Sequence, residues 1–256
     1  MMETDDKQRF AHMAEDYDQV APFLVPMYDF IQQEMIRLAD LAAMPRPRIV
    51  DLGAGGGRFL ERVLAVCPQA TCYWVDSSES FLAVARRRLA RFGEQINYIL
   101  SPMEGDWTRQ IDHPVNCVFS MSAIHHLERH EKKALYARCF GLLAEGGWFI
   151  NGDEMKTLDE NAYRSSLDFW VRHVQGRADH IPPALVENAR RWCGHFDGWK
   201  RRNIERIDQP KTKGDDLHEP FIDQMRWLKD TGFAGVDIFV KYHLWCVIGG
   251  RKPIQA

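Results

Sequence analysis

Two acidic residues, each at the end of an apolar run, and a block of glycines between them carry the first chemical signal in this chain. Arg48-Ile49-Val50-Asp51-Leu52 runs into Gly53-Ala54-Gly55-Gly56-Gly57 and then into Arg58-Phe59. A second apolar run, Thr71-Cys72-Tyr73-Trp74-Val75, ends in Asp76, 25 residues after Asp51. A strand, a glycine turn, a helix, a strand and a terminal acid make one half of a nucleotide-binding α/β unit.

The loop narrows the choice of nucleotide. A dinucleotide site reads GxGxxG and seats a pyrophosphate on the helix N-terminus. Here the sixth position is Arg58, and Asp51 stands two residues before the first glycine. A carboxylate there faces a phosphate badly and suits an ammonium or a sulfonium. S-adenosylmethionine meets that need. Its ribose hydroxyls suit an acid at the end of the second strand, Asp76. Its methionine part would pass over Gly53 and Gly55, where a side chain would collide.

Methyl transfer from a sulfonium is an in-line displacement with a neutral leaving group, so alignment and exclusion of water are the main requirements. A base is needed only where the nucleophile must lose a proton. The candidates follow two later strands: His125 and His126 after one, Asp153 and Glu154 after the next. Histidine is suited to accept a proton near neutral pH, although helix-start packing or capping would explain the same residues. The histidines form no HExxH or HxH-type cluster, so no metal is expected.

These residues need a scaffold of alternating elements. The spacing predicts strands over 49–52, 71–75, 96–100, 115–121 and 148–151. It predicts helices over 58–66, 79–92 (with Ser77 or Ser78 as N-cap) and 131–143, the last stopped by Ala144-Glu145-Gly146-Gly147. Two further strands, 236–240 and 244–250, are joined so tightly that they must be antiparallel. The expected fold is α/β, Rossmann-like and doubly wound, with seven strands, mostly parallel, and an antiparallel C-terminal hairpin. Residues 1–46 read as a helical N-terminal lid, bent at Pro22 and Pro26. Residues 47–153 and 221–253 read as the cofactor domain. Residues 154–220 read as a helical cap on the substrate side. Trp170, Arg172, His173, His180, Trp192, His195 and Trp199 of that cap would line an acceptor pocket or form the cap's own core. The basic run Lys200-Arg201-Arg202, with Arg190, Arg191 and Arg206, is interleaved with acids. It reads as a solvated face, or else as a receiver of an anion or RNA backbone.

Composition excludes little else. The 256 residues are 45% apolar and 27% charged, with net charge −3, which gives no general reason to expect nucleic acid. Six scattered cysteines without a CxxC pair point to a reducing cytoplasm. No apolar stretch suits a signal core or a bilayer span.

Residues 47–153 resemble the class I S-adenosylmethionine-dependent methyltransferases. The resemblance rests on Val50 to Gly57, Val75-Asp76-Ser77-Ser78, Ser120-Met121-Ser122-Ala123-Ile124-His125-His126-Leu127 and Leu143 to Gly147. It extends to Trp227–Phe233 with 236–250, and to Phe10 through Tyr17-Asp18. The nearest subgroup is that of the tRNA uridine-5-oxyacetate methyltransferases and their relatives. The resemblance implies that Asp51 sits near the cofactor's amino group and Asp76 holds its ribose. It implies that Ser77 lies beside the adenine, with Pro102 and Met103 as the other adenine wall. Ser120 would offer its carbonyl to the amino group, and Tyr17 would close over the cofactor. Three positions depart from the family pattern: Pro102 replaces an acid for the adenine amino group (Asp106 follows as a substitute), Ser77 replaces an apolar residue, and Asn116 replaces Asp. The function implied is methyl transfer to a small molecule, with S-adenosylhomocysteine as product and His125, Asp153 and Tyr17 as the catalytic candidates. A homodimer is compatible with this reading. The alternatives are a tRNA-modifying (carboxy)methyltransferase, cyclisation or cleavage of the cofactor itself, and a non-catalytic binding module.

Overall fold

The computed structural model describes residues 13–112, 114–177 and 180–255. Phe10, part of the family-like N-terminal segment, lies outside them. Seven strands form one sheet in the order β3-β2-β1-β4-β5-β7-β6. They are β1 Arg48–Leu52, β2 Thr71–Asp76, β3 Ile96–Leu100, β4 Val115–Met121, β5 Leu143–Glu154, β6 Ala234–Tyr242 and β7 Trp245–Arg251. The first five are mutually parallel, and β7 runs antiparallel to both β5 and β6. The order reverses between β1 and β4, which opens a crevice beyond the carboxyl ends of those strands.

Each central strand is buried on both faces, and its side chains alternate between two cores. Ile49, Cys72, Trp74 and Phe119 point to one. Val50, Leu52, Tyr73 and Val118 point to the other. This is the period-2 pattern of a sheet covered on both sides. The first face carries α1 Ala14–Leu24, α2 Tyr28–Ala39, α3 Arg58–Val66, α4 Glu79–Leu89, α6 Glu160–Arg177 and α7 Val186–Lys200. The second carries α5 Arg129–Leu142 and α8 Phe221–Thr231.

Local sequence explains most boundaries. α3 buries Phe59, Leu60, Val63 and Leu64 on one stripe and stops short of Pro68. Ser78 caps α4, its Oγ accepting from the Phe81 N–H at 3.3 Å. Glu128 and Glu131 cap α5 reciprocally. Pro22 sits inside the last turn of α1, and the break comes at Val25-Pro26.

Some expected boundaries moved. α4 ends at Leu89 and continues as a 3-10 segment to Gln95. α5 does not use the glycine stop: Leu143 is already extended and begins β5, and Gly146 (φ +73°) lies inside that strand. β5 therefore runs three residues beyond the expected Asn151, because β4 and β7 flank it along its outer half. The expected edge of the cap, 153/154, falls within this strand.

Candidate functional site

A cavity of about 630 Å³ lies at the carboxyl end of the sheet. The β1–α3 loop forms its floor. Gly53 has φ +66°, and a Cβ there would stand 2.3 Å from the Ala123 Cβ. Gly55 has φ +49°. Both conformations favour glycine. The loop is pinned on three sides: Gly53 and Ala54 donate to Val75 O, the Trp74 indole N–H donates to Gly55 O (2.8 Å), and Gly55 N–H donates to Asp76 Oδ2 (2.9 Å).

Of the eight cofactor residues expected from sequence, Asp51, Gly53, Gly55, Asp76, Ser77, Pro102 and Met103 all line this cavity. Ser120 does not. It is wholly buried, with its hydroxyl donating to Leu52 O at 2.9 Å, and the wall after β4 is built by Met121, Ser122 and Ala123 instead. Asp106, the suggested adenine partner, is highly exposed and pairs with Arg109; the acid on the wall is Glu104, which Lys213 holds at 3.1 Å. Arg138 clamps this loop by donating to the carbonyls of Met103, Glu104 and Gly105. Asn116 has a structural task, accepting from the Arg48 N–H.

The two acids differ in a way that speaks to the ligand. Asp76 lines the cavity, and its Oδ1 and Oδ2 accept from the N–H groups of Ser78 and Gly55, which fix the carboxylate in place. Asp51 is 2% exposed, and its Oδ2 has no hydrogen-bond partner. Burial first, and the neighbouring Asp76 second, push its carboxyl well above the usual range. A buried orphan carboxylate oxygen facing a cavity is relieved by a cation. The cradle therefore fits a ligand carrying an ammonium group at Asp51 and a diol at Asp76.

The far wall belongs to the N-terminal helices and the cap. Tyr17, Tyr28 and Gln32 face the cavity from α1 and α2, and Trp170, Trp192, Phe196 and Trp199 from α6 and α7. Burial raises both tyrosine hydroxyls, Tyr28 to about 12. Trp170, Trp192 and Trp199, which the sequence singled out, are joined here by Phe196. They pack on one another (Trp170–Trp199 centroids 4.4 Å, Phe196–Trp199 stacked at 5.1 Å) and line the cavity. Two networks absent from the sequence reading hold this wall shut. Asp18 of α1 pairs with Arg88, which also donates to Gly56 O. Asp16 of α1 takes a bidentate pair from Arg191 of α7. Arg190 and Lys200 are paired on the surface with Glu187 and Asp197, whereas Arg201 and Arg202 reach the cavity.

Between the two walls lies a polar cluster. Asp153 accepts from the His125 main-chain N–H (2.9 Å) and bonds its Nδ1 (2.6 Å). Asp153 sits behind His125 and does not line the cavity, so it positions that ring. Burial pulls the His125 imidazole down, but Asp153, Glu154 and Asp216 outweigh it and hold it up at about 9. Glu154 faces the cavity, and burial lifts it to about 8. Asp216 arrives from the irregular last stretch of the cap; burial would raise it, but His126, His125 and His218 bring it to about 2. No sequence signal marked Asp216, which lies in a stretch without periodicity.

Residues 49–147 match the family profile described as "Methyltransferase domain". The match spans the glycine loop, Asp51, Asp76 and the His125-His126 turn. These residues form a class I S-adenosylmethionine-dependent methyltransferase domain. Over 126 residues the chain is 32% identical to a trans-aconitate 2-methyltransferase of Variovorax paradoxus (strain S110), which covers 47% of this chain and 46% of that one. Over 121 residues it is 30% identical to a ubiquinone biosynthesis O-methyltransferase of Thiobacillus denitrificans (strain ATCC 25259 / T1), covering 47% and 48%. The chain thus spans about half the length of the curated relatives it matches. Among solved structures, human N-acetylserotonin methyltransferase in complex with SAM superposes with a TM-score of 0.55 at 14% identity, covering 93% of this chain and 58% of that one. An O-methyltransferase family protein from Burkholderia thailandensis superposes at 0.56 with 18% identity, covering 86% and 56%. These superpositions show the fold of the methyltransferase domain and its surroundings. Among the described residues no helix is long and apolar enough to cross a membrane.

Proposed function

We propose that this protein transfers a methyl group from S-adenosylmethionine to a small, oxygen-rich acceptor. One observation carries the reading: a single cavity joins the Asp51–Asp76 cradle to the aromatic and histidine-bearing wall. When bound, S-adenosylmethionine supplies an electrophilic methyl on a sulfonium that leaves as a neutral thioether. Asp51 and the Gly53–Gly55 backbone would hold the amino-acid end, Asp76 the ribose, and Ser77, Pro102 and Met103 the adenine. Tyr17, Trp170 and Trp199 would exclude water and press the acceptor toward the methyl.

The preference for an oxygen-rich acceptor rests on two buried N–H groups of cavity-lining residues that make no hydrogen bond: Trp199 Nε1, and Arg202 Nε, which has only the Asp215 carboxylate at 3.6 Å. Such donors favour carboxylate or hydroxyl oxygens, because leaving them unpaired costs about 1–3 kcal/mol each. Enclosure between α1 and α7 favours a small molecule over RNA. Asp153 fixes the His125 ring, and His125 and Glu154 both face the cavity, where each can hydrogen-bond an oxygen of the acceptor. Six cysteines, all free and five of them buried, support a cytoplasmic location.

Thermal denaturation with S-adenosylhomocysteine tests the cofactor, and product analysis after incubation with carboxylated and phenolic acceptors tests the reaction. Stabilisation and acceptor-dependent release of S-adenosylhomocysteine are expected. Stabilisation by a pyridine dinucleotide alone would refute the reading. Methylthioadenosine formed without any acceptor would replace it by cofactor cyclisation.

A further inference from the structure

His125, His126 and Asp216 bring one donor atom each within 4.8 Å of one another on the cavity wall. His125 Nε2 and His126 Nδ1 both lie 3.7 Å from Asp216 Oδ1. That distance is too long for a hydrogen bond. It is close to the roughly 3.4 Å edge between nitrogen and oxygen ligands bound at about 2.1 Å to one tetrahedral ion. The other atoms of two of these side chains are already engaged. His125 Nδ1 is held by Asp153, which leaves Nε2 as the outward nitrogen. Asp216 Oδ2 accepts from Asn203 Nδ2 at 2.7 Å, which leaves Oδ1 facing the two imidazoles. A carboxylate behind a histidine and an amide behind a carboxylate are the supports that orient metal ligands. Two cations stand beside this carboxylate, and neither is bonded to Oδ1: Arg202 Nη2 donates to Asp216 Oδ2 at 3.5 Å, and Lys211 donates to the main-chain carbonyl of Asp216 and to Asn203 Oδ1.

We propose that His125, His126 and Asp216 bind one divalent first-row transition ion, with its remaining coordination positions open to the cavity. Two imidazoles and one carboxylate suit zinc, iron or manganese over magnesium or calcium, which prefer all-oxygen shells. The open positions would take an oxygen of the acceptor. That use rests on the methyl-transfer reading; the binding of the ion does not. The sequence reading carried no metal because the third ligand comes from a loop far from the histidine pair, without any recognisable spacing.

Protein stripped of metal is titrated with Co²⁺ alone, followed by calorimetry and by visible ligand-field absorption. One ion per chain is expected. His126 is only partly buried, so His126→Ala should fold, as far-ultraviolet circular dichroism will check, and should weaken Co²⁺ by more than about 100-fold. Asp153→Asn loosens His125 without removing a donor and should weaken it about 10–100-fold. His130→Ala, at an exposed histidine, should change nothing. Absence of binding by the wild type, or equal affinity in folded His126→Ala, would overturn the proposal. A parallel thermal scan with S-adenosylhomocysteine keeps the two readings apart. Ion binding without nucleoside binding removes methyl transfer and leaves the ion site; the reverse result removes the ion site alone.

Discussion

Replacing Asp51 by asparagine should move stability and affinity in opposite directions. In the ligand-free protein this carboxyl is 2% exposed, has an unpartnered Oδ2 and lies near a second acid. Its folded-state pKa is above the unfolded value. The folded protein therefore binds the extra proton between the two values, and the stability tied to this group is full in acid and lost as pH rises through the folded pKa. At a pH above that window, the neutral amide of the Asp51→Asn variant has no charge to bury. An unsatisfied buried group costs about 1–3 kcal/mol, more when charged, so Asp51→Asn should stabilise the free protein by at least that order. Each kcal/mol raises the Tm by about 2–4 °C for a domain of 150–250 residues. The same change removes a hydrogen bond to a charged group, about 1.5–3 kcal/mol, or roughly 10–150-fold in affinity. Differential scanning calorimetry of the free protein and titration calorimetry with S-adenosylhomocysteine read both quantities. Equal losses for S-adenosylmethionine and S-adenosylhomocysteine would place Asp51 at the shared amino group; a loss confined to the former would place it at the sulfonium. A free protein that is less stable, together with unaltered affinity for both compounds, would refute the argument.

Asp76→Ala should weaken S-adenosylhomocysteine roughly 10–150-fold in titration calorimetry through the lost ribose contact; unchanged affinity in a folded variant removes the ribose assignment. Gly53→Ala should be markedly destabilising in urea unfolding, because its Cβ would meet the Ala123 Cβ at 2.3 Å. Ala123→Gly in the same chain should recover part of that loss, and absence of any recovery would shift the cause to the positive φ alone. Lys132 is fully buried, donates to Leu217 O at 2.5 Å, and is lowered, chiefly by burial, to about 8. Between about pH 8 and 10.5 the unfolded chain holds the extra proton, so stability from this residue should rise with pH across that window. The slope should flatten in Lys132→Met, as pH-dependent urea midpoints would show.

The scaffold was readable because its signals are local. The helix 58–66 and the strands 96–100 and 115–121 have the bounds read from apolar spacing, and the antiparallel ending followed from a connection too short for a crossover. Errors fell where tertiary contacts override local preference. The glycines after α5 read as a stop, yet β4 recruits Leu143 into the sheet at once. Ser120 read as a wall residue, yet it is wholly buried within β4 with its hydroxyl bonded to Leu52 O of the neighbouring strand. Asp106 read as an adenine partner, yet its loop turns it to solvent while Glu104 faces inward.

The cradle is therefore a property of the sequence itself. Asp51 and Asp76 lie on adjacent strands joined by one short loop and one helix, so their types and spacing determine both their placement and the charge of the ligand they suit. The wall facing the cradle is decided only by the tertiary structure. Tyr17 and Asp18 come from the N-terminal helices, Trp170 and Trp199 from the helices of the cap, and Asp216 from its aperiodic last stretch. They meet because helix packing and the Asp18–Arg88 and Asp16–Arg191 pairs bring distant segments together. Contacts between such separated segments depend on the summed burial of whole helices, and no short window of residues encodes them.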